Sequence, residues 1–210
     1  FDNVILNLGP FEQQFAEQRQ FFTEGIDLFN KGNLFYSRRV GDSPSTYPNI
    51  TENEEVIDYP DKVQLLNAVK VSGRTKKGLG IGFFNAITEK TEVNILKTED
   101  LFDANTNTTE TLISKRKETV EPLANYNIIV LDQQFNKNSS VTLINTNVTR
   151  NNNFRDANVT GLLVDLVNKQ NTYGLTAEAK MSTFNDEPGR ENGYSTQIGG
   201  GKIGGNFRYN

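Results

Sequence analysis

What most limits the folds open to this chain is a run of alternating segments and short polar turns that starts at Val63 and continues toward the C-terminus. Successive side chains of an extended strand point to opposite faces, so an apolar residue at every second position describes a sheet with two unlike surfaces. Tyr173 to Phe184 shows this most clearly. Tyr173, Leu175, Ala177, Ala179 and Met181 fall on one face, and Thr176, Glu178, Lys180 and Ser182 fall on the other. Val63 to Arg74 repeats the pattern, with Val63, Leu65, Val69 and Val71 opposing Gln64, Lys70, Ser72 and Arg74. Further runs cover residues 79–89, 125–134, 140–150, 158–168 and 194–209, giving about seven strands in all. Thr75 to Gly78, Asn136 to Asn138 and Lys169 to Asn171 are connections of hairpin length. The pattern predicts an all-β fold, an antiparallel meander.

Composition sets further limits. The 210 residues suffice for one domain with a core of its own. Apolar residues make up only 35% and mean hydropathy is -0.56, yet 14 Phe and 7 Tyr are too many for a disordered chain. The polarity is therefore arranged by alternation. A net charge of -4 provides no basic surface on the scale that phosphate neutralisation needs, so nucleic acid is not an expected partner. Without Cys there are no disulfides or thiolate sites, and without His the commonest general base and transition-metal ligand is missing. No cofactor is implied. Nor is there a run of about 18 apolar residues to make a transmembrane helix, although a β-barrel crosses a membrane with strands of roughly 9–11 residues and a weak hydropathy signal. The chain starts at Phe1 with neither an initiator Met nor a signal peptide, and reads as a piece of a longer protein.

Two stretches, 41–62 and 90–122, read as long irregular loops, the second rich in Thr, Asn, Glu and Lys. Short turns on one rim and long loops on the other are normal in outer-membrane barrels. In the first forty residues Phe11, Phe15, Phe22 and Phe29 suggest a short amphipathic helix from about Glu12 to Gln20, ended by Gly25 and Gly32.

Several motifs invite sharper readings. GLGIG at 78–82 and IGGGKIGG at 198–205 look like phosphate loops. Lys202, however, is followed by Ile203 rather than Ser or Thr, and no helical pattern follows either one. Glycine inside strands, permitting close approach or a bend, fits better. Asp103, Asn105, Asn107 and Glu110 alternate like calcium ligands but lack the glycine and terminal acid of an EF-hand loop. Glu24 with Asp27, and the run Glu52, Glu54, Glu55 and Asp58, offer carboxylates for hydrolase chemistry, which needs a defined separation across a cleft. Arg38 and Arg39 could clamp an anion, but neighbours in a strand point opposite ways, and pairing with Glu24 or Asp27 is the simpler expectation.

Taken together, the segments FAEQRQFFTEGIDLFNKGNLFYSRRVGD, VQLLNAVKVSGRTKKGLGIGFFNAITEK and EPLANYNIIVLDQQFNKNSSVTLINTNVTR resemble an uncharacterised outer-membrane β-barrel family of Bacteroidota and related bacteria. The signature residues are Phe21, Phe22, Glu24, Gly25, Tyr36, Arg38 and Arg39, followed by Lys70, Ser72 to Thr75, Gly82, Glu121 to Leu123 and Tyr126. The family usually carries a carbohydrate-binding, family 9-like module upstream, and has no established catalytic residues to carry over. At Gln20 the family typically has Pro. The resemblance implies the incomplete N-terminal part of a transmembrane β-barrel in a bacterial outer membrane. Residues 1–62 would be a lead-in packed on or in the barrel, and residues 63–210 its first strands.

The expected role is non-enzymatic: glycan-related binding, uptake or surface assembly, with outer-membrane lipid and carbohydrate as partners. Lys70, Arg74, Glu178 and Lys180 are the polar residues expected to face the lumen. A surface hydrolase using carboxylates and a soluble β-sandwich lectin-like module are the competing readings. If Leu175, Ala177, Ala179 and Met181 pack against a second sheet, the barrel reading fails.

Overall fold

The computed structural model describes residues 16–103, 108–152, 154–186 and 189–205. A single helical turn, α1 (Gln20–Thr23), leads into three 3-10 turns at Ile26–Leu28, Lys31–Asn33 and Ser37–Arg39. Ten strands follow among the described residues: β1 (Glu54–Val56), β2 (Leu65–Arg74), β3 (Leu79–Thr88), β4 (Thr91–Asp103), β5 (Thr108–Glu121), β6 (Ala124–Phe135), β7 (Ser139–Arg150), β8 (Asp156–Val167), β9 (Tyr173–Asp186) and β10 (Gly189–Lys202). They form two antiparallel sheets. The larger has the order β2-β3-β6-β7-β8-β9-β10, and the smaller has β1-β4-β5. The larger sheet is open, with β2 and β10 at its edges, and no closed barrel forms among the described residues.

The seven strands of the large sheet are those that alternation predicts. Their turns are built as the sequence suggests. Asn136 and Lys137 both have positive φ, the requirement of a tight hairpin with the right twist. Asn168 caps its own turn by accepting hydrogen bonds at Oδ1 from the Thr172 and Tyr173 amides at 2.7 and 3.1 Å. The three connections named from sequence lie at one end of the sheet, and the connections of two residues from β9 to β10 and five from β7 to β8 lie at the other.

Residues 90–122 are not an irregular loop. They form a two-stranded ribbon, β4 paired with β5 from Thr91↔Glu121 to Asp103↔Thr108. β4 continues β3 after two residues, and β5 runs into β6 through Pro122 and Leu123, so β3 with β4 and β5 with β6 make the two arms of one long ladder, bent where the two sheets meet. Pro122, which lacks a ladder donor, and the register shift at Thr91/Glu92 mark the bend. The Thr, Lys and Glu content that suggested a loop belongs to strands whose outer halves are exposed on both sides. At the base of the ribbon, Val93, Ile95 and Val120 pack with Val56 of β1 into a small core.

Two further expectations need correction. The helix begins at Gln20 rather than ending there; Phe11, Phe15 and the other residues up to 15 lie outside the described residues. In β2 a bulge between Leu65 and Asn67 puts Leu65 opposite Thr88, on the other face from Val69 and Val71, where it joins the main core. A bulge shifts the parity of a strand by one, which straight alternation cannot register.

That main core lies between the lead-in and one face of the large sheet. Phe22, Leu28, Phe29 and Val40 meet Phe84, Ala86, Ile128, Val130 and Ile144. Each such side chain withdrawn from water contributes about 1.5–3 kcal/mol, which offsets the ordering of a segment with almost no regular structure.

A candidate functional site between the lead-in and the sheet

The register aligns side chains into rows across the covered face. One row runs Arg74, Gly80, Asp132, Thr142, Leu163, Glu178, and the next runs Ser72, Gly82, Val130, Ile144, Gly161, Lys180. Lys70 lies one row further on, level with Phe84. The four polar residues picked from sequence, Lys70, Arg74, Glu178 and Lys180, therefore share one face of the sheet, the face that the lead-in covers.

Glycines hollow this face where the lead-in descends. A Cβ on Gly80 would lie 2.9 Å from Leu28 Cδ2, one on Gly82 would lie 3.1 Å from Phe29 Cζ, and one on Gly161 would lie 2.6 Å from Leu34 Cδ1. The GLGIG motif thus seats side chains rather than phosphate. Phe84 collects the aromatic rings of Phe21, Phe22, Phe29 and Phe35 at centroid distances from 5.2 to 6.4 Å.

Polar contacts set the register of the lead-in. The Asp132 side chain is wholly buried; its Oδ1 lies 2.5 Å from Lys31 Nζ and its Oδ2 lies 2.5 Å from Arg74 NH2. Thr142 Oγ1 donates to Oδ1 at 2.7 Å. Lys70 Nζ donates to the carbonyls of Phe21 and Glu24 at the end of α1, where a cation also suits the partial charge of exposed carbonyls. Arg19 ties the lead-in to itself. It donates to Ser37 O at 2.9 Å and Val40 O at 2.7 Å, stacks over the Phe22 ring at 4.0 Å, and pairs with Glu17 at 2.8 Å. Burial raises the Glu17 pKa, but hydrogen bonds from Arg19 and Ser37 outweigh it and hold the carboxyl at about 2.

Beyond this anchor, toward the ribbon end, a cavity of about 460 Å³ opens between the lead-in and β6 to β9. Tyr36, Arg39 and Asp42 line it from the lead-in, Tyr126 and Arg150 from the sheet, and Glu121 from the ribbon base. Glu121 is held on both sides, accepting from the Ser45 amide at 2.8 Å and lying 3.5 Å from Arg150 Nε. Arg150 also donates to Arg155 O at 2.6 Å. A cavity with aromatic walls and fixed charges of both signs can orient a small polar molecule.

Of the signature residues, Phe22 is buried in the core and Phe21 lies half-exposed beneath Lys70. Gly25 has φ +59, and a Cβ there would lie 2.9 Å from Ser72 Oγ. Arg38 donates from Nε to Ala16 O at 2.9 Å, while Tyr36 and Arg39 line the cavity. Glu24 and Asp27 are exposed on the lead-in and do not line the cavity; Glu24 accepts a hydrogen bond from Gln20. In the acidic run, Glu54 is not a loose loop residue, because Arg116 pairs with it at 2.8 Å. Of the calcium-like residues, Asn105 and Asn107 lie outside the described residues, and no cluster of His, Cys, Asp or Glu that could hold a metal ion occurs among the described ones.

Sequence reasoning overlooked Asp132, Lys31, Arg19 and the Glu121–Arg150 pair. One signal was available. In Ile128, Val130, Asp132 a carboxylate occupies a parity that is otherwise apolar, and a buried charge requires a partner.

The profile of a domain of unknown function, DUF5916, matches residues 1–210. The chain belongs to the DUF5916 family. No curated protein and no solved structure matches the DUF5916 chain. Its chemistry is therefore read from its own geometry: an ion cluster that fixes the lead-in, and a polar cavity beside it.

Proposed function

We propose that this DUF5916 chain forms the first strands of an outer-membrane β-barrel, with residues 63–210 as wall and residues 1–62 as a lead-in held against the inner surface. The observation that carries this reading is the uncovered face of the large sheet. Val69 and Val71, Ile81 and Phe83, Ile129 and Leu131, Leu143, Leu162, Leu175 and Met181 are all exposed there, on six adjoining strands, and β10 adds Tyr194 and Ile198. None of Leu175, Ala177, Ala179 and Met181 is buried, and among the described residues no second sheet covers them. An apolar band of this breadth, bordered on the ribbon side by Asn145 and Thr160 in the row of Ile129 and Met181, is an aggregation hazard in water and a normal wall in lipid.

The band also slopes. It is centred at the level of Lys70 on β2 and of Glu178 on β9, whereas the register puts Lys70 level with Ser182. A drift of four residues, roughly 13 Å, over five strand spacings, roughly 24 Å, corresponds to a tilt of roughly 30°, near the tilt of barrel strands. No described helix is long and apolar enough to cross a membrane, which leaves crossing by strands untouched.

Lys70, Arg74, Glu178 and Lys180 then face the lumen, and the ribbon stands on the side opposite the three connections named from sequence. The role we assign is glycan-related binding, uptake or surface assembly, performed with an upstream carbohydrate-binding module. Its support is the family resemblance and the polar, aromatic-walled cavity beside the lead-in.

The test uses the full gene product in outer-membrane vesicles, with single Cys nitroxide labels at positions 175 to 182. Odd positions should be accessible to dissolved oxygen and shielded from a water-soluble nickel chelate, with even positions showing the reverse. Equal access of the chelate to both sets would sink the barrel reading. Binding of soluble glycans to those vesicles, lost on Arg150→Ala, would test the assigned role.

A further inference from the structure

The ribbon has an outer half that its base does not explain. From Thr98 to Ile113 the sequence contains Glu99, Asp100, Asp103 and Glu110 and no Lys or Arg. Leu101, Phe102, Leu112 and Ile113 are each more than half exposed. A bare two-stranded ribbon is marginal in water, and four large apolar side chains on its outer half increase that cost.

The two faces of the ribbon differ. On the face bearing Ile95, Leu101 and Leu112, the cations of the base are already paired: Arg116 with Glu54 and Glu118, and Lys97 with Glu99. On the face bearing Leu96, Phe102 and Ile113, Lys115 and Lys117 are exposed and enter no ion pair among the described residues. Register places Lys115 level with Leu96, Ile113 with Thr98, Thr111 with Asp100, and Thr109 with Phe102. Along this surface Lys115 and Lys117 lie toward the base with Glu92 beside them, Thr98 and Ile113 lie in the middle, and Asp100 and Phe102 lie toward the tip, while Glu99 and Glu110 belong to the opposite face.

We infer that this face is a self-complementary docking surface whose occupant is the same ribbon of a second copy, laid antiparallel. An isologous contact matches a surface with its own reverse. A two-fold axis at the Thr98/Ile113 pair sets Ile113 against its counterpart. It brings Asp100 of each copy level with Lys115 of the other, and Phe102 level with Lys117, whose cation suits an aromatic face. The charge segregation selects this occupant. An anionic membrane surface would repel the acidic tip, and a parallel arrangement would set acid against acid. The contact is small for a dimer free in solution, and copies in one membrane make it with their ribbons lying along the membrane surface, where confinement raises their effective concentration.

The experiment places Ile113→Cys in the full gene product on cells, where this chain itself contributes no other thiol, and treats them with a short bis-maleimide. The expected result is a cross-linked dimer at least tenfold more abundant than from Leu112→Cys on the opposite face. Asp100→Lys should abolish it, and Asp100→Lys with Lys115→Asp should restore it. A yield no greater than that of Leu112→Cys, or no rescue by the charge swap, would overturn the proposal, as would cross-linking only to a different protein. The same samples report heat-modifiable gel migration, so loss of the dimer with migration retained is distinguishable from failure of the barrel reading.

Discussion

At the scale of single residues, Asp132 joins the lead-in to the sheet through Lys31 and Arg74. A carboxylate with no exposure between Lys31 and Arg74 is stabilising only while both cations and the Thr142 hydroxyl surround it. Removing it by Asp132→Ala leaves two part-buried cations without their partner, so we expect a loss of about 3 kcal/mol in denaturant unfolding of the purified protein. The seat of Phe29 gives a second expectation. Gly82→Leu adds volume where a Cβ alone would lie 3.1 Å from the ring, and should cost about 1–3 kcal/mol. Its specific sign is faster proteolysis within residues 16–40 with the sheet left protected.

At the scale of elements, the ribbon is tied to β1 by a backbone ladder, by Val56 in the small core, and by the Glu54–Arg116 pair. Hydrogen bonds from Arg116 and the Thr51 amide hold the Glu54 carboxyl at about 2, below its ordinary value of 4.5. Because the folded value is the lower one, the pair contributes in full above about pH 4.5 and is lost as pH falls toward 2. Protection against hydrogen exchange at Thr98, whose amide donates to Asn53 O, should fall across that window relative to intrinsic rates, and should not do so in Glu54→Gln. The elements were unequally legible in the sequence. The large sheet was readable because its strands are regular apolar runs, alternating at the edges and apolar on both parities in β3 and β6, between tight turns with their Asn or Gly. The ribbon was not, because its buried parity is limited to Val93 and Ile95 at the base and its outer half is exposed on both faces. The bulge at Leu65 and the cluster at Asp132 were hidden for a common reason: both depend on a partner far along the chain. The cavity was half legible, in that Tyr36, Arg39, Glu121, Tyr126 and Arg150 all fall within the matched segments without any spacing that joins them.

At the scale of the whole molecule, the two faces of the sheet make opposite demands, and substitutions should separate them. Ala179→Arg puts a cation on the apolar face and should cost about 2–4 kcal/mol in a bilayer if the position lies near mid-depth. Lys180→Ala, one residue away and facing the lead-in, should leave membrane stability nearly unchanged. Equal effects from the two, measured by reversible unfolding into a fixed lipid composition, would count against an outward apolar wall.

The span of the Lys31–Asp132 contact also bears on the order in which the molecule assembles. Nearly every strand pairs with its neighbour in sequence, so the sheet can grow by local closures of a few residues. Lys31 and Asp132 stand 101 residues apart, and Asp132 is positioned only once β3 and β6 have come together around the ribbon. Closing a long loop has to follow the contacts that shorten it. The lead-in, which precedes the sheet in the chain, is then placed after it, and a slow late phase confined to the lead-in is the kinetic trace this should leave.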